Sequence, residues 1–300
     1  MSTPAKTRIG YIGLGDMGMP IAGKLLDAGF ELTVCESNPA AAQKMADRGA
    51  RVLPTPADVA SDAEIVFSCL PAPAISEEVA FGDKGIVHGR RIRVYIENST
   101  IGQAAMQRIA AGMAARGIGL LDAPVSGGPT GAAAGRLSCF VSGSDEHYGF
   151  AQAALRGMCD RLFHIGKTPG QSQVLKLANN LINAASLTIS SEMLAMATRA
   201  GIDPAVAIDV INASTGRNRA TEQTIKEQIL TGRYSVGARL DILAKDVDLA
   251  IAEAESLGAS HMASDGVQAV WRAAMAQGRG KEDLTRIQQF IVSQGKEQAS

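Results

Sequence analysis

The sequence predicts an α/β domain with a mainly parallel sheet, followed by an all-helical domain. Up to about residue 166, short β-rich segments alternate with segments of helical periodicity, and this alternation is typical of βαβ units. After Gly170 no further strand pattern occurs. A length of 300 residues also suits two domains. We place the first domain at residues 1–168 and the second at residues 169–300.

The predicted strands of the first domain are short and rich in β-branched and apolar residues. The opening strands are apolar on both faces, as strands covered by helices on either side should be. The predicted strands are residues 8–14, 31–37, 64–70, 93–99, 118–126 and 137–143.

A long apolar segment opens the second domain. From about residue 173 to 199 the chain is apolar nearly all round, which predicts a buried helix of about 40 Å that joins the two domains. Beyond it, Asp203 and Pro204 indicate a helix N-cap followed by proline at the first helical position. Helical periodicity continues over about 217–231, 241–257, 262–277 and 283–294.

Charge and cysteine usage narrow the class of protein. With 29 basic and 30 acidic residues and no dense basic run, we expect neither nucleic acid nor a membrane surface as partner. No apolar run reaches the length of about 18 residues that a membrane span needs. The four cysteines are widely spaced and the four histidines form no H-x-x-x-H pair, so no disulfide framework or common metal motif is visible. The polar N-terminus lacks the plan of a secretory signal, and we therefore expect a cytoplasmic protein.

A glycine-rich motif directly follows the first predicted strand and opens a helix. The first glycine permits a tight turn, the second allows close approach of a pyrophosphate, and the third allows close helix packing. The start of the helix supplies N–H groups for the phosphates. We therefore predict a Rossmann-type dinucleotide-binding domain. Its cofactor contacts are predicted to be Gly13, Leu14, Gly15, Asp16, Met17 and Gly18.

An acidic residue at the end of the second predicted strand indicates the cofactor. Glu36 stands 18 residues after Gly18, where a carboxylate would hold the ribose hydroxyls. A 2′-phosphate would meet a like charge there, and neither Ser37 nor Asn38 supplies an arginine to receive it. The sequence therefore favours NAD over NADP.

A second glycine-rich segment follows the strand at 118–126. The backbone N–H groups of Ser126, Gly127 and Gly128, with the Ser126 hydroxyl, could form a small set of donors suited to a carboxylate. Glycine pairs after a strand are also ordinary loop chemistry, so a flexible turn without a ligand is the alternative.

A polar stripe runs along the long apolar helix. Lys176, Asn180 and Asn183 stand at positions i, i+4 and i+7 and therefore share one face. Desolvation lowers the pKa of a lysine, and such a lysine can accept a proton from an alcohol. Asn180 could hydrogen-bond the same oxygen. In the alternative interpretation Lys176 reaches the surface and the asparagines bond to neighbouring helices.

The motifs occur in the order found in a known family. They are Gly13 to Gly18 with Met19-Pro20, Ser99-Thr100, Asp122 to Gly128, Lys176 to Asn180, and Lys245-Asp246. Over nearly the whole chain this sequence resembles the β-hydroxyacid dehydrogenases, the group of 3-hydroxyisobutyrate dehydrogenase and tartronate semialdehyde reductase, with 6-phosphogluconate dehydrogenase more distantly related.

The resemblance implies roles for individual residues. Lys176 is implied to be the general acid/base, and Asn180 to position the substrate. The implied substrate contacts are Ser126, Gly127, Gly128 and Asn179, and the implied cofactor-side residues are Leu70, Pro71, Thr100 and Lys245. Because adjacent residues on a helix do not face each other, we expect Lys245 to serve the cofactor and not to pair with Asp246.

The resemblance predicts an enzyme that oxidises a small 3-hydroxy acid, such as 3-hydroxyisobutyrate, with NAD and without a metal. The apolar helix and the Ala- and Met-rich helical domain predict a homodimer or homotetramer. Three alternatives stay open: reduction of an aldehyde acid such as tartronate semialdehyde, an imine reductase, and a non-catalytic NAD-binding protein. Lys176 argues against the last two, in which that lysine is typically replaced.

The sequence departs from the family pattern at a few positions. Ser172 replaces a usual glycine and Gln103 a usual proline, and neither touches the proposed chemistry. Arg217 and Arg219 could bind a second acidic group of a substrate, or could lie at a solvated helix start.

Overall fold

The computed structural model describes residues 7–297. By their contacts these residues divide into two compact units, one up to Lys176 and the other from Leu177. The first six residues, part of the polar N-terminus from which we expected no secretory signal, lie outside the described residues.

The first unit is built on a single sheet. In the described residues its strands are β1 (Arg8–Ile12), β2 (Glu31–Cys35), β3 (Arg51–Val52), β4 (Ile65–Ser68), β5 (Val94–Glu97), β6 (Gly119–Asp122), β7 (Val125–Ser126), β8 (Ser138–Ser142) and β9 (Arg161–Gly166). The strand order is β3-β2-β1-β4-β5-β6-β8-β7, with β9 paired to β8. The pairs among β1 to β6 are all parallel, whereas β8 is antiparallel to β6 and β7.

The order of the strands reverses between β1 and β4. From β1 the chain proceeds outward to β2 and β3, and from β4 it proceeds outward on the other side to β5 and β6. In doubly wound sheets, ligands bind beyond the carboxyl ends of the strands at such a reversal. The topology therefore predicts a ligand site near the residues that follow β1 and β4.

Helices cover both faces of the sheet. They are α1 (Gly18–Asp27), α2 (Pro39–Asp47), α3 (Pro56–Asp62), α4 (Pro73–Phe81), α5 (Gln103–Ala114), α6 (Gly128–Ala133) and α7 (Asp145–Met158). Ile9 and Tyr11 of β1 pack with residues of α1 and α7 in one core, and Ile12 packs with residues of α3 and α5 in another. This alternation follows from the period of two along a strand, and it explains why the central strands are apolar on both faces.

Local sequence sets the helix starts. Asn38 Oδ1 accepts a hydrogen bond from the N–H of Ala40 at 3.0 Å, and Thr55 Oγ1 accepts one from the N–H of Asp58 at 3.1 Å. In α2 and α3 a proline follows the cap directly, where its missing N–H costs nothing.

The predicted α/β domain is confirmed, with three differences in its strands. The predicted strand over 118–126 is two strands, β6 and β7, because Pro124 between them has no N–H to donate to a ladder. β3, which has only two residues and is exposed, was not predicted. Nor was β9, whose side chains are exposed or half-buried, so that its composition lacks the apolar pattern of a central strand.

The second unit is helical, as predicted. α8 (Gln171–Arg199) enters it, and α9 (Pro204–Asn212), a π-helix (Ala220–Ile229), α10 (Leu240–Ser256), α11 (Asp265–Ala276) and α12 (Ile287–Glu297) follow. The predicted cap of α9 is present, because Asp203 Oδ1 accepts hydrogen bonds from the N–H groups of Ala205 and Val206. In the described residues no helix is long and apolar enough to cross a membrane.

The prediction that the long helix is buried is wrong for one side of α8. Ala184, Leu187 and Leu194 lie in the core of the helical unit, whereas the opposite side is exposed to solvent. We call this side the α8 apolar stripe; it consists of Ile182, Ile189, Met193 and Met196, which are 67%, 51%, 39% and 61% exposed. An apolar pattern on all sides of a helix therefore does not indicate which side packs against the rest of the chain. In α8 one side packs into the core and the other side is exposed.

The core of the helical unit contains the single tryptophan of the chain. Trp271 is fully buried, and its indole N–H donates a hydrogen bond to Thr188 Oγ1 at 3.0 Å. A buried N–H group without an acceptor is costly, so this hydrogen bond joins α11 to α8 more specifically than apolar packing alone.

Replacing Thr188 with valine should destabilise the protein by about 1–3 kcal/mol, because the shape is kept while the buried indole N–H loses its acceptor. Urea unfolding followed by circular dichroism measures this change. Thr198→Val is the matched control, since among the described contacts the Thr198 Oγ1 hydrogen bond goes to the carbonyl of Leu194 on its own helix; we expect it to cost less than about 0.5 kcal/mol. Equal free energies of unfolding for the two variants would contradict this account.

Candidate active site

The carboxyl ends of five parallel strands lie side by side along one edge of the sheet. In spatial order these strands are β2, β1, β4, β5 and β6. The residues that follow them include Glu36, Gly13, Leu70, Thr100 and Ser126. The fold thus brings the predicted cofactor residues of the first unit, and the predicted substrate loop, to one edge.

The glycine turn after β1 has the geometry that a pyrophosphate requires. Gly13 has a φ of 88°, a conformation that favours glycine. A Cβ on Gly18 would lie 1.9 Å from the carbonyl oxygen of Gly13, whereas a Cβ on Gly15 would have no atom within 4 Å. The turn is therefore tightly packed at Gly18, where the helix begins, and has open space beside Gly15. Among the described side chains none caps the start of α1 at Met17, which leaves this helix start to a phosphate group.

Glu36 is held beside the glycine turn. Its Oε2 accepts a hydrogen bond from the N–H of Leu14 at 2.5 Å, and its Oε1 accepts one from the N–H of Asn38 at 2.7 Å. The Ser37 hydroxyl also donates to Oε1 at 3.2 Å. These bonds fix a carboxylate at the end of β2, where the ribose hydroxyls of a dinucleotide would lie. Together with the glycine turn, this donor and acceptor set fits a dinucleotide.

A buried carboxylate joins the segments that follow β4 and β5. The N–H of Leu70 donates to Ser99 Oγ at 2.7 Å, and the N–H of Ser99 donates to Glu97 Oε1 at 2.9 Å. The Tyr95 hydroxyl donates to Glu97 Oε2 at 2.8 Å, and burial, with the nearby Glu97 charge, raises the Tyr95 pKa well above its usual value. Leu70-Pro71 and Ser99-Thr100 are therefore fixed to one another. Sequence reasoning missed Glu97, although a glutamate at the end of an apolar strand was the available signal.

The predicted substrate loop follows β6 as a short strand and a short helix. Ser126 is half-buried at the end of β7, and α6 begins at Gly128. Gly127 has a φ of 140°, and a Cβ there would lie 2.8 Å from the Leu137 side chain, so only glycine fits. N–H groups at the start of a helix have no acceptor within the helix, and among the described side chains none caps the start of α6.

Lys176 lies in the second turn of α8, in the part of the helix that belongs to the first unit. It is only 8% exposed. The interpretation that it reaches the surface at the helix start is therefore wrong. Burying a lysine is costly unless polar groups surround it, so a buried lysine in a helix is a candidate functional residue.

The start of α8 is anchored by Asp122, at the end of β6. Asp122 is fully buried, and its Oδ2 accepts hydrogen bonds from the N–H groups of Gly170 at 3.0 Å and Gln173 at 3.1 Å and from the Ser142 hydroxyl at 3.1 Å. Burial raises the pKa of Asp122 to about 7, while these donors favour its charged form. An acceptor from a neighbouring strand thus caps the helix that carries Lys176. The sequence placed Asp122 at the start of a motif, but its role as the cap of α8 was not predicted.

In the second unit, Asp246 joins two predicted site residues. Asn180 Nδ2 donates to Asp246 Oδ2 at 2.6 Å, and Lys245 Nζ donates to Asp246 Oδ1 at 2.7 Å. The expectation that Lys245 would not pair with Asp246 is wrong, because the long lysine side chain reaches around the helix surface to its neighbour. The Asp246 side chain is only 4% exposed. Sequence reasoning missed its role, although a carboxylate beside a site lysine was the available signal.

The remaining predicted residues are more exposed. Asn179 is exposed, and its Nδ2 donates to Asn180 Oδ1 at 3.2 Å. Arg217 and Arg219 are both exposed, and Arg217 forms an ion pair with Glu222 at 3.5 Å. This pair agrees with the interpretation of a solvated helix start.

Comparison with known proteins places this chain in a family. The model for the NAD binding domain of 6-phosphogluconate dehydrogenase matches residues 8–166, and the model described as NAD-binding of NADP-dependent 3-hydroxyisobutyrate dehydrogenase matches residues 170–291. The chain is 35% identical over 263 residues to 3-hydroxyisobutyrate dehydrogenase of Pseudomonas aeruginosa, covering 85% of this chain and 87% of that protein. It is 32% identical over 296 residues to the NAD-dependent L-serine dehydrogenase of the same organism, covering 96% and 99%.

Solved structures agree with these matches. The structure of Mycobacterium tuberculosis 3-hydroxyisobutyrate dehydrogenase with L-serine is 25% identical, has a TM-score of 0.87, and the alignment covers 95% of this chain and 99% of that one. The glycine turn, the family models and the similarity over nearly the full length agree. The chain therefore belongs to the β-hydroxyacid dehydrogenase family, in the group of 3-hydroxyisobutyrate dehydrogenase, whose members are NAD(P)-dependent 3-hydroxy acid dehydrogenases.

Proposed function

We propose that this protein oxidises a small 3-hydroxy acid with NAD and that Lys176 transfers the proton. The observation that carries the proposal is the buried Lys176 in the second turn of a helix whose start is capped by Asp122. A lysine in a helix whose start is bonded to the end of β6, the strand that leads into the substrate loop, can act on an alcohol bound there.

The cofactor would be held by the residues along the sheet edge. The turn from Gly13 to Gly18 would hold the pyrophosphate, Glu36 the ribose hydroxyls, and Leu70, Pro71 and Thr100 would lie on the cofactor side. Lys245, which belongs to the second unit, is also proposed to serve the cofactor. When bound, NAD supplies the acceptor for the hydride that leaves the carbinol carbon. The fixed carboxylate of Glu36 supports a preference for NAD over NADP, because it repels a 2′-phosphate.

The substrate would be held by the loop after β6 and by α8. The N–H groups of Ser126, Gly127 and Gly128 bind its carboxylate, and Asn179 contributes a further polar contact. Lys176 Nζ takes the hydroxyl proton during oxidation and returns it during reduction. Asn180, itself oriented by Asp246, directs the same oxygen.

The class of substrate follows from this arrangement and from the relatives. 3-Hydroxyisobutyrate and L-serine, which give the relatives their names, are both small acids with a hydroxyl on the third carbon. The same groups would serve the reverse reaction, reduction of an aldehyde acid such as tartronate semialdehyde, because a proton donor and acceptor works in both directions.

We further propose that residues 1–168 bind the cofactor, that residues 169–300 serve substrate binding and assembly, and that the protein is a cytoplasmic homodimer or homotetramer. The α8 apolar stripe supports assembly, since four large apolar side chains on one side of a helix are a surface that a second copy would cover.

Replacing Lys176 with alanine should lower kcat for oxidation of the preferred 3-hydroxy acid by about 10²-fold or more, as loss of a positioned acid/base predicts. NADH formation over a panel of small 3-hydroxy acids measures this. Lys167→Ala is the matched control, because Lys167 stands nine residues earlier in the chain, is exposed and pairs with Asp145; it should retain full turnover. Turnover that is indifferent to Lys176 would refute the mechanism.

Replacing Glu36 with glutamine should reduce the ratio of kcat/KM for NAD to that for NADP by about tenfold or more, since the charge that repels the 2′-phosphate is removed. Glu31→Gln, at the opposite end of β2, should leave the ratio unchanged. An unmodified protein that prefers NADP, or a ratio unmoved by Glu36→Gln, would overturn the assignment of NAD.

Charged residues in the α8 apolar stripe should disrupt assembly. We expect the Ile182→Glu, Met196→Glu double variant to run as a monomer in size-exclusion chromatography with light scattering, because burying two carboxylates in an apolar contact is costly. Met262→Glu is the control, since Met262 is 84% exposed outside the stripe. The assembly should survive in this control, and an unchanged mass for the double variant would exclude the stripe as the interface.

A further inference from the structure

A single amide side chain lies at the start of the helix that carries Lys176. Gln173 stands three residues before Lys176, in the first turn of α8, and is fully buried. Its Oε1 accepts hydrogen bonds from the N–H groups of Ile101 at 2.8 Å and Gly102 at 3.1 Å. These two residues follow directly on Thr100, in the segment after β5.

The other half of the same amide faces β5 and β6. Gln173 Nε2 donates to the carbonyl oxygen of Ser99 at 3.0 Å and to Asp122 Oδ1 at 2.6 Å. The amide thus makes four hydrogen bonds, which is the full capacity of two N–H groups and two lone pairs. Each of its four partners belongs to a segment that the proposed site uses.

The backbone of Gln173 strengthens the connection. Its N–H donates to Asp122 Oδ2 at 3.1 Å, so one residue contacts both oxygens of the same buried carboxylate. A carboxylate at a helix start is favoured by the helix dipole and by the N–H groups that lack acceptors there. Gln173 and Asp122 therefore fix both the axial position and the rotation of the first turn of α8.

We propose that Gln173 is a positioning residue that holds Lys176 in register with the segment from Ser99 to Gly102 and with the end of β6. This inference rests on the proposed function, because Gln173 affects turnover only through the position of Lys176. The segment on one side of the amide leads from the proposed cofactor contact Thr100, and β6 on the other side leads to the substrate loop. One side chain thereby couples the proton-transfer residue to both.

The chemistry of the site requires an amide and no other group. A methionine has a similar length but would leave the N–H groups of Ile101 and Gly102 buried without acceptors, which displaces the segment or exposes it to water. A glutamate would keep that half of the contact, but its second oxygen would face Asp122 Oδ1 and the carbonyl of Ser99. Three acceptors would then meet, and one of the two carboxyl groups would have to take up a proton to supply a donor.

The test compares Gln173→Met, Gln173→Glu and Asp122→Asn with the double variant Asp122→Asn, Gln173→Glu. We expect each single variant to lower kcat about tenfold or more, because misplacing a catalytic group by about 1 Å costs up to about 10²-fold in rate. KM for the hydroxy acid should change less than about threefold, because neither Gln173 nor Asp122 is among the proposed substrate contacts. The pH profile of kcat should also shift, since the surroundings of Lys176 change.

The double variant distinguishes pairing from general damage. It exchanges the amide and the carboxyl across the 2.6 Å contact, so that a donor again faces an acceptor. We expect it to recover at least part of the kcat lost in the two single variants. A loss equal to the product of the two single losses would show that this contact carries no coupling and would count against the proposal.

A second readout is independent of turnover and of cofactor. Amide hydrogen exchange of the N–H groups of Ile101 and Gly102, measured on the protein alone, should accelerate in Gln173→Met. Gln171→Met is the matched control: Gln171 lies in the same first turn but is exposed, and its side chain accepts only from the N–H of Thr168 at 3.1 Å among the described contacts. It should change neither exchange nor kcat.

A purely structural role for Gln173 would lower the melting temperature of Gln173→Met but leave kcat and its pH profile as in the unmodified protein, and this result would overturn the proposal. If the unmodified protein shows no turnover that depends on Lys176, the proposed function fails. The exchange rates of Ile101 and Gly102 then decide alone whether Gln173 holds this segment in place.

Discussion

The arrangement of the site depends on a fully buried carboxylate, that of Asp122, which is bonded to the start of α8. Asp122 is fully buried, and no cation is among its hydrogen-bond donors in the described residues. Burying such a group costs several kcal/mol unless hydrogen bonds replace its hydration, and here Ser142, Gly170 and Gln173 supply them. Because the donors come from residues 48 and 51 positions along the chain, the carboxylate fixes the end of β6 to the start of α8. The helix that carries Lys176 therefore cannot shift without unpairing a buried acid.

A second buried carboxylate stands directly beside the first. Glu97 and Asp122 are register partners at the ends of β5 and β6. Glu97 organises Ser99 and, through it, the N–H of Leu70, while Asp122 organises the start of α8. Ser99 links the two, since its carbonyl oxygen accepts from Gln173 Nε2. The ends of β4, β5 and β6 and the start of α8 are thus joined by one buried network of hydrogen bonds that contains both acids.

The sequence was sufficient for the fold and for the main motifs, because these depend on short-range patterns. Period and glycine spacing predicted the α/β domain, the turn at Gly13 and the long helix. The pattern did not predict β9, whose side chains are exposed or half-buried. It also did not predict the exposed stripe of α8, because periodicity indicates which residues are apolar and not what covers them. The partners of Glu97, Asp122, Gln173 and Asp246 were also missed, since side-chain hydrogen bonds between distant segments leave no local spacing to read.

Lys176 is proposed to hold and release the proton, and the pH dependence of turnover in both directions tests this role most directly. Oxidation needs the neutral amine and reduction needs the ammonium, so the rate of oxidation should rise with pH while the rate of reduction falls over the same range. Both dependences should vanish from the residual rate of a Lys176→Ala variant. Oxidation and reduction rates that keep their opposing pH dependences in that variant would contradict the account and assign the proton to another group.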